Sequence, residues 1–287
     1  MNVGIIVKGI GGRYEVQTDR GLVSCTLRGR LRLRDDRVLV GDKVEITRED
    51  DGKDGVVEAI LPRTSELLRP PIANVNQVAV VFAVENPAPN FLFLDRLLVQ
   101  GELLNLSCIV VINKADLNPT RAQELAKHYN TISYPTAVTS TVQGEGLDQL
   151  RELLKGKITA LAGPSGAGKS SLLNALDPNL KLETGQVSVK AQRGRHTTRS
   201  VELLALGDGY VADTPGFSRL NLESDQERDL QFAFPEFRPH LDFCQFRGCL
   251  HRREPGCQVK AALEAGEITQ ERYDHYLILL EEAAPRY

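Results

Sequence analysis

The chain has 287 residues, too many for one small core and suited to two or three domains. Hydrophobic residues make up 41% and charged residues 25%, ordinary for a globular protein, while a net charge of −3 excludes a globally basic chain, so any RNA-binding surface has to be local. The longest strongly apolar run, Val78 to Val84, is far shorter than the roughly 20 residues that span a bilayer, so no membrane segment is expected.

The opening "MNVGIIVKGI" carries neither a basic leader nor a long apolar segment, so no secretion leader is expected. Residues 1 to about 67 read as five short strands: "VGIIVKG", "RYEVQ", "LVSCTLRGRLRL", "DKVEIT" and "VVEAIL". Turn signals separate them, and the spacing predicts a small barrel of the OB type. In the third segment, alternation places Arg28, Arg30, Arg32 and Arg34 on one face of an extended strand, with Leu31 and Leu33 on the other. Such a stripe suits RNA, and with Tyr14 as the only aromatic in the barrel, contacts to backbone and shape are expected over base stacking. "RPP", Arg69 to Pro71, reads as a linker.

From Gln77 onward, strands alternate with helices: "QVAVVFAV", "FLDRLLVQGELL", "SCIVVIN", "TRAQELAKHY", "GLDQLRELLKG" and "KITALAG". This predicts a parallel sheet with helices on both faces. The last strand runs into "GPSGAGKSS", which fits G-x-x-x-x-G-K-[ST]. The backbone of Gly163, Pro164, Ser165, Gly166, Ala167 and Gly168 can wrap phosphates. Lys169 would reach the β- and γ-phosphates, and Ser170, followed by Ser171, would hold Mg²⁺ at the start of a helix. Asn113, Lys114 and Asp116 form N-K-x-D after an apolar strand. The Asp116 carboxylate can accept from guanine N1–H and N2–H₂ together, whereas adenine would leave it unpaired. Ser140, in "VTSTVQGEG", lies in a second candidate base-contacting loop. "VADTPG" gives D-x-x-G, with Asp213 behind Mg²⁺ and the Gly216 amide on the γ-phosphate. The polar loop "ETGQVSVKAQRGRHTTRS" holds Thr197 and Thr198, both candidates to close on Mg²⁺, with Thr198 the expected magnesium ligand. Phe217 follows Gly216 and cannot orient water, so His196 is the best candidate for that role.

The base motif precedes the phosphate loop, the reverse of the usual GTPase order, and moving the last two elements to the front converts one order into the other. This is a circular permutation, with the stretch 146 to 155 joining the old ends. "NKAD", "GPSGAGKSSLLN", "GRHTTR", "DTPGF" and the Cys/His cluster described below together resemble the circularly permuted ribosome small subunit-dependent GTPase A family, RsgA or YjeQ, over nearly the whole chain. "VTST" stands where Ser-Ala is commoner, and Arg199 where a third threonine is frequent. The resemblance implies a bacterial cytoplasmic GTPase that binds GTP or GDP, acts late in small-subunit maturation and is stimulated by that subunit.

Three of five cysteines lie in the tail, where Cys244-x₄-Cys249-x-His251-x₅-Cys257 offers three thiolates and an imidazole, a closed tetrahedral set for one structural Zn²⁺. The pattern is not a disulfide framework, and a reducing cytoplasm fits it. The tail reads as poor in apolar residues, so the metal is expected to stand in for a core. Arg247, Arg252 and Arg253 are candidate phosphate contacts. The expected architecture is a multidomain α/β chain: an OB-fold barrel at 1–68, a permuted GTPase domain at 72–220 and a zinc-binding domain with helices at 221–287. The expected partner is the small ribosomal subunit with its rRNA, and the chain is read as a monomer. A competing reading is an RNA-binding module in which GTP or GDP only sets conformation. A zinc-finger DNA regulator is disfavoured by the cysteine spacing.

Overall fold

The computed structural model describes residues 2–32, 37–49, 54–68, 70–182, 201–213 and 227–284. Five strands close a barrel: β1 (Asn2–Ile10), β2 (Arg13–Thr18), β3 (Gly21–Leu27), β4 (Lys43–Arg48) and β5 (Asp54–Ile60), in the order β1-β2-β3-β5-β4 with β1 also paired to β4. Alternation sends Ile6, Val16, Val23, Cys25, Val44, Ile46 and Val57 inward, where all are fully buried. Burial pushes the Cys25 thiol up to about 11, which makes it an inert core residue. Asp42 is buried as well, and its carboxylate accepts from Arg63 Nε at 2.7 Å and from the Leu39 N–H at 2.8 Å.

The arginine stripe is corrected by the structure. β3 ends at Leu27, and Gly29–Arg32 form one helical turn, α1, closed by Leu31 N–H donating to the Arg28 carbonyl at 2.9 Å. An extended strand would align its arginines about 7 Å apart on one face. A helical turn rotates each residue by about 100° and breaks that row. Arg28 pairs with Glu58, Leu31 is buried, and Arg34 lies outside the described residues. The "RPP" stretch is not a free linker either. Pro71 opens β7 (Pro71–Ala73), which pairs with β6 (Glu66–Leu68) with Leu68 opposite Pro71, and Ile72 is bridged to Val40 of the barrel segment; Arg69 lies outside the described residues.

The central sheet has six strands in the order β10-β9-β8-β11-β13-β12. β8 (Gln77–Ala83) is buried at every residue, as two-sided coverage requires. β9 (Ser107–Asn113) runs parallel to β10 (Thr136–Val138), and β11 (Ile158–Ala162) parallel to β13 (Gly209–Asp213). The edge strand β12 (Leu203–Leu206) is antiparallel to β13, because two residues, Gly207 and Asp208, join them and leave no room for a crossover. Helices α2 (Phe91–Leu103), α3 (Pro119–Thr131), α4 (Leu147–Leu154) and α5 (Lys169–Leu176) follow strands or loops of this sheet. Asn90 caps α2 by accepting from the Phe93 N–H at 3.0 Å. Among the described residues, no helix is long and apolar enough to cross a membrane.

The C-terminal segment packs α6 (Arg238–Leu241), α7 (Gln258–Glu264) and α8 (Gln270–Ala283) with two 3-10 turns, Leu230–Ala233 and Pro235–Phe237. Contrary to the sequence expectation, it has a substantial core: Leu230, Phe234, Phe237, Val259, Ile268, Tyr276, Leu279 and Leu280 are buried together with Val99 of α2. The apolar residues are scattered singly along the chain, so no run announces them. Between α2 and α8 lies a charge network. Arg272, 2% exposed, donates to Asp95 Oδ1 at 2.5 Å and to Glu236 Oε1 at 2.6 Å, and its guanidinium lies 4.6 Å from the Phe234 ring centre. Asp95 Oδ2 meets His275 Nδ1 at 2.6 Å, Arg96 pairs with Glu282, and Glu102 pairs with Arg238. Removing the cation strands two buried carboxylates, so Arg272→Met is expected to destabilise the fold by about 3–5 kcal/mol. Urea denaturation followed by circular dichroism measures this, and an unchanged midpoint would contradict it.

Candidate nucleotide site and metal centre

β11 delivers the chain directly into the phosphate loop. Gly163 has φ 143°, and a Cβ there would lie 2.0 Å from the Val81 carbonyl oxygen. Gly168 has φ 89°, and a Cβ there would lie 2.5 Å from Asn113 Nδ2. Only glycine fits at either end of the loop, because the backbone passes so close to β8 and to the end of β9. Asn113, the last residue of β9 and 1% exposed, donates from Nδ2 to the Ala167 carbonyl at 2.9 Å. Its Oδ1 accepts from Thr139 Oγ1 at 3.1 Å. One buried amide therefore ties the phosphate loop to both neighbouring loops.

Lys114 adopts left-handed backbone, φ 58°, and turns the chain into the 3-10 turn Ala115–Leu117 that carries Asp116. The Lys114 ammonium donates to the Asn86 carbonyl. Ser140 is fully buried, and its hydroxyl donates to Asp116 Oδ1 at 2.5 Å while accepting from the Gln143 N–H at 3.2 Å. Ser140 and Glu145 exchange backbone hydrogen bonds at 3.1 Å in both directions, which fixes the loop that holds the carboxylate. After the glycines, Lys169, Ser170 and Ser171 open α5, anchored by buried Leu172, Leu173 and Leu176. Asp213 ends β13 opposite Leu161 of β11, so D-x-x-G starts level with the strand that feeds the phosphate loop. His196, Thr197, Thr198, Gly216 and Phe217 lie outside the described residues.

The second constellation is Cys244, Cys249, His251 and Cys257, whose ligand atoms all lie within 4.8 Å of one another. His251 sits in left-handed backbone, φ 59°, which swings Nδ1 toward Cys257 Sγ at 3.3 Å and Cys244 Sγ at 3.7 Å. Its other nitrogen, Nε2, meets Gln231 Oε1 at 3.0 Å, an outer partner that selects the tautomer with a free Nδ1. The Gln258 N–H donates to Cys244 Sγ at 3.4 Å, and the hydroxyls of Tyr273 and Tyr276 donate to the carbonyls of His251 and Leu250. Burial pushes the Cys249 thiol up to about 12, raises Cys257 as well and lowers His251. Buried sulfurs with an inward imidazole nitrogen suit a thiophilic cation such as Zn²⁺, which would supply the charge that makes thiolates tenable.

Residues 60–223 match the family described as RsgA GTPase, and residues 3–57 the RsgA N-terminal domain. The chain belongs to the RsgA GTPase family. The small ribosomal subunit biogenesis GTPase RsgA of Moorella thermoacetica is 46% identical over 284 residues, 99% of this chain and 98% of the relative. The protein of the same name from Clostridium beijerinckii is 46% identical over 281 residues, 97% of this chain and 96% of the relative. The crystal structure of YjeQ from Thermotoga maritima superposes with a TM-score of 0.85 at 38% identity, covering 100% of this chain and 99% of that one. YloQ, described as a circularly permuted GTPase, gives 0.83 at 38% identity, with coverage of 99% and 96%.

As an RsgA GTPase the chain is a GTP hydrolase, and membership implies GTP or GDP with Mg²⁺. Asn86, whose carbonyl holds Lys114, and Gln231, which orients His251, escaped sequence reasoning. Neither belongs to a motif, and Gln231 is 20 residues from the histidine it orients. One consequence of the cluster is directly measurable. Cys249 and Cys257 are protonated at neutral pH without a cation, because both thiols are raised. Zn²⁺ uptake by the metal-free chain should therefore release about two to three protons per ion and weaken as pH falls. Titration in weak buffer with a pH indicator reads this directly, and uptake without proton release would refute it.

Proposed function

We propose that this chain hydrolyses GTP as a switch in the late maturation of the small ribosomal subunit, slowly alone and rapidly on the subunit. The observation that carries this reading is end-to-end similarity, barrel and Cys/His segment included, to proteins named small ribosomal subunit biogenesis GTPases. In this reading Asp116 reads guanine through N1–H and N2–H₂, held in place by Ser140, with Lys114 along the base. The phosphate loop 163–168 wraps the phosphates, Lys169 reaches their oxygens, and Ser170 with Thr198 or Thr197 holds Mg²⁺ backed by Asp213. The Gly216 amide senses the γ-phosphate. His196 orients the attacking water, since Phe217 cannot. Cys244, Cys249, His251 and Cys257 hold one Zn²⁺ per chain. The domains are 1–68, 72–220 and 221–287, the first and last facing rRNA, and the chain works as a cytoplasmic monomer.

Two experiments test the chemistry. Asp116→Asn replaces an acceptor with a donor, so GTP affinity should fall by about 10- to 100-fold while xanthosine triphosphate binding rises. Equal affinity of the unsubstituted chain for ATP and GTP would sink the base-reading assignment. Turnover of GTP should rise by orders of magnitude when small subunits are added, because the subunit supplies positioning. His196→Ala should remove most of that rise and leave GTP affinity intact. A variant that keeps full stimulated turnover would end the role of His196. Turnover indifferent to subunits would instead favour an RNA-binding module that uses the nucleotide as a sensor.

A further inference from the structure

Two large aromatic rings stand in water beside the metal centre. Phe243 is 73% exposed and Phe246 46%, although the same segment buries Phe234 and Phe237 completely. The segment therefore has an interior that accepts phenylalanine, and packing alone does not account for the two rings outside it. They flank Cys244 in a loop whose backbone is fixed. Phe243 N–H donates to the His240 carbonyl at 3.3 Å, Gln245 N–H to Gly256 at 3.2 Å and Cys249 N–H to Phe246 at 3.3 Å. Cys244 and Cys249 of the same loop belong to the thiol cluster. Rings carried on a loop held this way lose little freedom when something stacks on them.

The electrostatics narrow the partner. Arg247 and Arg253 are exposed, and among the described residues no acidic side chain pairs with either. Glu254, next in the chain to Arg253, turns its carboxylate onto the N–H groups of Leu250 and Arg253, both at 2.9 Å. Flat apolar faces and guanidiniums without an acidic partner, carried on the same Cys/His loop segment, match a ligand with π faces on an anionic backbone. An acidic peptide would use the arginines and leave the rings idle, and an apolar peptide would do the reverse. From this we infer that Phe243 and Phe246, with Arg247 and Arg253, form a stacking surface for unpaired bases of single-stranded RNA. The barrel has one aromatic, Tyr14, so base stacking belongs to the Cys/His module and not to the barrel. That the RNA is ribosomal rests on the function proposed above; the chemistry of the surface does not.

The test uses the full metal-loaded chain, a single-stranded hexaribonucleotide carrying one 2-aminopurine, and a duplex of the same length. Binding of the single strand should quench 2-aminopurine, the signature of stacking. Phe243→Leu with Phe246→Leu keeps the apolar volume and removes the flat faces. It should abolish the quench and weaken binding by roughly tenfold or more, leaving the salt dependence unchanged. Phe243→Tyr with Phe246→Tyr should restore both signals, while Arg247→Ala should lower the slope of affinity against salt. Turnover without RNA and metal content should stay as in the unsubstituted chain. Leucine variants that bind and quench normally, or a duplex bound as tightly as the single strand, would overturn the inference. So would a loss confined to ribosomal proteins stripped of RNA, which would mark a protein partner. Subunit-stimulated turnover that persists without any oligonucleotide quench removes this inference alone. Quench without stimulation leaves the surface standing and removes the proposed function.

Discussion

A guanidinium taken out of water has to be compensated, and Arg272 is compensated from two directions: Asp95 on α2 and Glu236 in the turn before α6. The pairs are separated by 177 and 36 residues, so the contact closes long loops and cannot form until both segments are in place. The flanking pairs, Arg96 with Glu282 and Glu102 with Arg238, alternate in sign along α2. A register shift of α8 along α2 would part Arg272 from Asp95 and Arg96 from Glu282 together, which favours one docking geometry. Val99 completes the attachment by entering the apolar core of the C-terminal segment. At its other end α2 is capped by Asn90, just after the loop in which Asn86 holds Lys114 and Pro87 lies 3.3 Å from the place a Gly166 Cβ would occupy. One helix thus connects the base-reading and phosphate loops to the body that carries the thiol cluster.

That body does not need a metal in place of a core, because it has one. The Cys/His cluster acts more narrowly, gathering the loop from Cys244 to Cys257, whose side chains include the exposed Phe246 and several cations. Gln231 and Tyr273 join the cluster to the core, through His251 Nε2 and the His251 carbonyl. Loss of a cation held there would therefore be a local event, loosening the loop while the packed helices keep their contacts.

The candidate nucleotide and metal motifs were visible in the sequence because such chemistry needs particular residues at short fixed spacing. "GPSGAGKSS", "NKAD" and the Cys/His spacing are of this kind, and long buried strands such as β8 announce themselves as apolar runs. Short elements did not, and β10 and β12, with three and four residues, carry too little pattern. "RGRLRLR" misled because Arg/Leu alternation has the period of a strand, while the β3–β5 ladder stops at the Leu27–Val57 pair and leaves the residues beyond it no strand partner there. Arg272 reads as a surface residue in "QERYDHYLILL", since nothing local discloses partners supplied by distant segments. The thin apolar content of the tail was likewise a misreading of scattered residues that converge only on folding.

If the nucleotide site and the Cys/His body are coupled through α2, as the proposed switch requires, the state of the phosphates sets the grip on the small subunit. The most direct test of this coupling is the affinity of the metal-loaded chain for purified small subunits, by sedimentation, in GDP and in a nonhydrolysable GTP analogue. The account predicts tighter binding with the analogue, by roughly five- to 150-fold if the coupling has the usual size. Equal affinity in the two nucleotide states would contradict it.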